Sequence, residues 1–162
     1  MNPKEEILEY ARRNELLAVA LEENNGKEAR CAWRKKSGDN ECRCFLTVVV
    51  DVWAREDKGA TVDHAFVQAA PDQCIYRASA WFGWGMLSNR PVDSWPHFGS
   101  PIMGPLQLND NLELSHEDIA IMVRACFVKP FTDGIPAPIF TPGAFSLTTK
   151  ALRQFIADQK AA

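Results

Sequence analysis

The sequence is short of basic charge. Its 18 Lys and Arg residues stand against 21 Asp and Glu, a net charge of −3 over 162 residues. Proteins that track phosphates carry a basic surface, so nucleic acid is disfavoured as a partner. The two basic clusters, Arg12-Arg13 and Arg34-Lys35-Lys36, are short and read as solvated faces. Long apolar runs are missing too. No stretch approaches the roughly 20 apolar residues that a bilayer crossing needs, which argues against a membrane partner. The opening MNPKEEILEYARRNELL has acids where a secretion signal has bases, and it lacks an apolar segment. The expected setting is cytoplasmic. Cysteine is scarce: five residues, an odd number, do not make a disulfide framework. Reduced and mostly buried thiols are the expectation.

Catalytic signatures are also missing. No GxGxxG, Walker A, HExxH or nucleophile-elbow pattern occurs. There are three histidines, His64, His97 and His116. An enzyme is therefore the weaker reading, and no cofactor is implied.

What is present fits one globular unit spanning 1–162. The 46% apolar and 24% charged content is that of an ordinary globule. Residues 2–24 read as a helix, with Asn2 as cap, Pro3 at the first position and Glu5 three residues after the cap. Asn14 is a point where it could divide. From 28 the pattern turns to a period of two: Ala29, Cys31 and Trp33 alternate with arginines. Glu41 to Ala54 gives the strongest strand signal, and Ala60 to Ala69 reads as its return. Asp51, inside that run, either faces a partner arginine or lies on an uncovered patch, pairing being the commoner reason. The segment CIYRASAWF leans to strand, and 106–114 reads as a short hairpin. SHEDIAIMVRACFVKP divides between helix and strand, with a lean to helix from its Ser115, Glu117 and Asp118 start. A closing helix runs from about Ser146 to Lys160. These elements predict an α+β fold: an antiparallel sheet of four to six strands, flanked by the N- and C-terminal helices.

Two long Pro/Gly-rich ordered segments complete that expectation. Gly83 to Pro105 holds four glycines and four prolines, with Trp84, Trp95 and Phe98, but only Arg90 and Asp93 as formal charges. Disordered linkers are polar and poor in aromatics, so this stretch is expected to be ordered. Pro130 to Phe145 has the same character, with four prolines, three phenylalanines and the single charge of Asp133.

Each candidate chemistry has a plain alternative. Cys42 and Cys44 share a face with Cys31 nearby, a set that could suit zinc. A Cys-x-Cys pair on a valine-rich run reads better as core packing, so no metal is assigned. His64, between Val62 and Phe66, reads as a core histidine, and His116 as a solvent-facing one. His97, beside Asp93 and Trp95, is the histidine with a case for function. The aromatic surface carries the most weight, because tryptophan is a frequent anchor of interfaces. The reading is thus a non-enzymatic interaction protein: an accessory, inhibitor or assembly subunit. It docks on a protein partner or on itself through segments 81–105 and 130–145. The candidate binding residues are Trp81, Trp84, Arg90, Asp93, Trp95, His97 and Phe98. The alternative is a small enzyme or ligand-binding domain whose pocket is roofed by the 83–105 loop around His97 and Asp93.

Overall fold

The computed structural model describes residues 1–29, 34–37, 40–84, 113–138 and 145–162. Helix α1 covers Pro3–Glu23 and begins as its sequence dictates. The Asn2 side chain accepts the Glu5 amide at 2.9 Å, and the Glu5 carboxylate accepts the Asn2 amide in return. This reciprocal box satisfies two donors that every helix start leaves open. Asn14 does not divide the helix. It is buried in mid-helix with its own bonds, described below.

The sheet expectation is overturned. The described residues are mostly helical, and their only sheet is a small antiparallel hairpin of β1 (Arg34–Ser37) and β2 (Asn40–Arg43). Arg34 faces Arg43 and Ser37 faces Asn40. The run read as the strongest strand becomes helix α2 (Phe45–Lys58), and its supposed return becomes helix α3 (Val62–Gln68). The β-leaning CIYRASAWF lies in helix α4 (Pro71–Trp81). The reason is burial. Every residue from Phe45 to Ala54 except Asp51 is buried. A helix enclosed on all sides loses its 3.6-residue pattern and looks like a two-faced strand. Its five β-branched residues cost roughly 0.5 kcal/mol each in a helix. Burying one valine or leucine returns about 1.5–3 kcal/mol, so packing overrides propensity. The stop is local: Gly59 takes the left-handed conformation at φ 59°, after Arg55 and Lys58 in the last turn.

The remaining helices are α5 (His116–Phe127), the single turn α6 (Lys129–Thr132) and α7 (Phe145–Ala161). The lean to helix at 116–128 is borne out, with Ser115 and Asp118 forming a second capping box. The closing helix also stands where its pattern placed it. Residues 133–138, in the second Pro/Gly segment, form no helix or strand. Of the hairpin expected over 106–114, residues 106–112 lie outside the described residues, as do Cys31 and Trp33, and Glu113 and Leu114 form no strand.

Helix α1 packs most extensively on α5. Arg124 of α5 reaches Glu15 through two nitrogens, at 2.8 and 3.0 Å, and also pairs with Glu22, both on α1. The hydrogen bonds it donates to Glu22, then to Glu15, hold its guanidinium well above the usual arginine value. A second tie joins α5 to the turn that follows α1. The Glu28 carboxylate accepts the amides of Gly26 and His116. Burial pushes Glu28 up, but these backbone donors and the nearby His116 outweigh it and hold the carboxyl below its usual range. His116 is fully buried, contrary to its reading as solvent-facing, and its Nδ1 lies 3.0 Å from the Asn24 carbonyl. The expectation for Asp51 holds on a helix rather than a strand: it pairs with Arg43 at 3.4 Å and Arg55 at 3.7 Å. Among the described residues, no helix is long and apolar enough to cross a membrane.

The core is centred on aromatic rings. Trp84 stacks with Phe82 at 5.4 Å, Phe127 at 5.9 Å and Phe45 at 6.4 Å between centroids. Leu17, Leu21, Ile75, Ile119, Met122 and Leu152 enclose the rings.

Candidate functional site

The site is built by the way α4 ends. Its final carbonyls would be orphaned without partners. The Trp84 amide bonds the Ser79 carbonyl at 3.2 Å and the Gly83 amide bonds that of Ala80 at 3.0 Å. This is the Schellman pattern, with Gly83 in the left-handed position at φ 72°. A Cβ on Gly83 would stand 2.5 Å from the Tyr10 ring, so the position requires glycine on two counts. The carbonyls of Trp81 and Phe82 are taken by α1: Arg13 donates to Trp81 at 2.8 Å, and Asn14 to Phe82 at 2.9 Å. Asn14 also donates to the Tyr10 carbonyl and accepts the Trp84 indole N–H, both at 2.8 Å. A buried mid-helix asparagine is thereby satisfied through two donors and one acceptor.

This turn sends the two neighbouring tryptophans opposite ways. Trp84 swings into the core, where it is 1% exposed. Its expected role as a surface contact is not available to a ring so enclosed. Trp81 stays on the last turn of α4, half-buried, and lines an open groove of about 690 Å³. Its indole is held by two neighbours outside the groove lining. The Arg13 guanidinium lies 4.6 Å from the ring centroid, and Phe82 meets the ring edge-on at 4.9 Å. Arg13 is itself steadied by Glu9 at 3.1 Å. The Arg12 hydrogen bond, with Arg13, holds the Glu9 carboxyl at about 2 against the effect of burial.

Three helices wall the groove. Helix α2 contributes Trp53, Ala54, Asp57 and Lys58. Helix α3 contributes His64, Ala65 and Gln68, and α4 contributes Cys74, Arg77, Ala80 and Trp81. The lining is two indoles and a set of small alanines, with polar groups at the rim. This composition and volume suit the capture of a bulky apolar group. His64 was read as a core residue; in helix α3 it is exposed and faces the groove. The period-two reading hid it, as it hid the spacing of Arg77 and Trp81, one helical turn apart on α4.

The groove's thiol is poorly placed as a nucleophile. Cys74 hydrogen-bonds the Ala65 carbonyl at 3.4 Å and sits 3.6 Å from that of Ala69. Burial raises its pKa, only partly offset by Arg77. A nucleophilic cysteine needs the opposite: a stabilised thiolate beside an oriented base. Among the described residues, the His64 ring has no hydrogen-bond partner to orient it.

Of the candidate binding residues, Trp81 and Trp84 are described. Arg90, Asp93, Trp95, His97 and Phe98 lie outside the described residues, and so does the pocket expected around His97 and Asp93. In the second segment Ile135 is 52% exposed. Cys42, Cys44, Cys74 and Cys126 are free. Among the described residues no three His, Cys, Asp or Glu side chains gather as a metal ion would need. The chain finds no match among protein-family models, curated proteins or solved structures.

Proposed function

We propose that this chain is a non-enzymatic interaction protein, an accessory or assembly subunit of the cytoplasm. It docks a partner protein by taking a bulky apolar side chain of that partner into the α2–α3–α4 groove, against Trp81. The observation that carries this reading is the pre-set indole: Trp81 lines an apolar opening while Arg13 and Phe82, neither of them in the groove lining, hold the ring. An anchor already ordered before binding loses less entropy when the partner arrives, and tryptophan dominates binding energy where it lines such pockets.

A partner larger than the groove suits the surroundings. Val67 on α3 is 82% exposed and Tyr76 on α4 is 65% exposed. Val67 follows His64 by three residues and Tyr76 precedes Ala80 by four, so each stands about one turn from a groove residue. Apolar exposure beside an apolar opening marks contact surfaces. The hydrogen-bonded thiol of Cys74 supports binding over chemistry. The cytoplasmic setting rests on the four free cysteines of the described residues, three of them buried.

Selection from a random peptide display library on the intact protein tests this reading. Enriched peptides should share a bulky apolar residue and lose binding to the Trp81→Ala variant. Enriched peptides that bind wild type and Trp81→Ala alike would exclude the groove, and so would a selection that enriches nothing.

A further inference from the structure

We propose that the segment seated in the groove is acidic: its apolar side chain packs on Trp81 while a neighbouring carboxylate pairs with Arg77. This deepens the docking reading above and rests on it. The argument is one of charge. Arg12 and Arg13 pair with Glu9, Arg43 and Arg55 with Asp51, and Arg124 with Glu15 and Glu22. Arg77 is exposed, lines the groove and makes no ion pair among the described residues. Lys58, the other cation of the rim, is already engaged by Asp57 at 3.0 Å.

Arg77 precedes Trp81 by four residues on α4, so its guanidinium and the indole stand on one face of one helix. A guanidinium offers two parallel donors to a carboxylate, with geometry that an ammonium lacks. Beside an apolar wall it therefore selects for an acid at a fixed distance from the buried side chain. The net charge of −3 gives no general attraction to acidic peptides. The preference arises at Arg77 itself and disappears with it.

The probe is a capped peptide, Gly-Phe-Glu-Leu-Gly, with Gln and Lys analogues at the central position. Affinities are measured by calorimetry on the intact protein, and the Trp81 indole N–H signal reports the location by NMR. The Glu peptide should bind about two- to fivefold tighter than the Gln peptide, the range of one partly exposed ion pair. The Lys peptide should bind most weakly. Arg77→Gln should erase the order and Arg77→Glu should invert it, with the melting temperature unchanged because Arg77 is exposed. Equal affinity of the Glu and Gln peptides for wild type overturns the proposal, as does an order that survives Arg77→Gln. Equal binding of all three that is lost in Trp81→Ala removes the acid preference alone and leaves the docking reading standing. If no peptide moves the Trp81 signal at millimolar concentration, both fail.

Discussion

Asn14→Ala should destabilise this protein far more than its small size change suggests. The substitution leaves the Trp84 indole N–H and the Phe82 carbonyl enclosed without the partners they hold at 2.8 and 2.9 Å. Each orphaned group costs about 1–3 kcal/mol. Alanine regains roughly 0.5 kcal/mol of helix propensity over asparagine, so the net loss is about 1.5–5.5 kcal/mol. For a chain of this length, each kcal/mol lowers Tm by roughly 2–4 °C. Urea unfolding followed by tryptophan fluorescence gives the free energy, and thermal unfolding followed by circular dichroism gives Tm. Asn14→Asp separates hydrogen bonding from volume. One carboxylate oxygen can still accept the indole, but the other meets the Tyr10 and Phe82 carbonyls with no proton to offer. Burial raises the folded pKa of that carboxyl, so the variant should lose stability as pH rises. A double-mutant cycle with Trp84→Phe should show a coupling of about 1–3 kcal/mol. Effects that add within about 0.5 kcal/mol would refute the claim that this network joins α1 to the end of α4.

Three further outcomes follow from the same contacts. Gly83→Ala forces a Cβ into the left-handed region, about 1–2 kcal/mol, and into the Tyr10 ring, about 1–3 kcal/mol more; a Tm within 2 °C of wild type, against about 4 °C or more, would contradict this. Glu9 has a folded pKa of about 2, below its ordinary 4.5, so its contribution is complete above 4.5 and fades as pH falls toward 2. Glu9→Gln should therefore cost up to about 1 kcal/mol near neutral pH and converge with wild type in acid, as read from Tm against pH; a pH-independent difference would count against the ion pair. Arg13→Ala removes the support behind Trp81 and the donor to its carbonyl, so peptide affinity should fall severalfold; unchanged affinity would show that the indole needs no such support.

How much of this was legible in the sequence depended on whether the signal was local. The caps were legible: Asn2 with Glu5 and Ser115 with Asp118 act over a few residues. The class of Phe45–Lys58 was not. A helix buried on every side shows no polar stripe, and its valines carry the composition of a strand. The strand readings of 60–69 and of CIYRASAWF placed His64 on a strand face and stretched the distance between Arg77 and Trp81, so the groove could not be seen. His116 was misplaced for a different reason. A residue after a helix cap faces solvent by default, and only the distant Asn24 and Glu28 draw it inside. Trp81 and Trp84 were found as a pair, but the Schellman turn that parts them belongs to three dimensions.

The most direct test of the account is the affinity of the Gly-Phe-Glu-Leu-Gly peptide for wild type and Trp81→Ala, with Tm measured alongside. A groove anchored on this indole predicts a loss of at least about tenfold, the scale of a binding hot spot, with Tm lowered by no more than about 5 °C because the ring is half-buried. Equal affinity in the two proteins would contradict it.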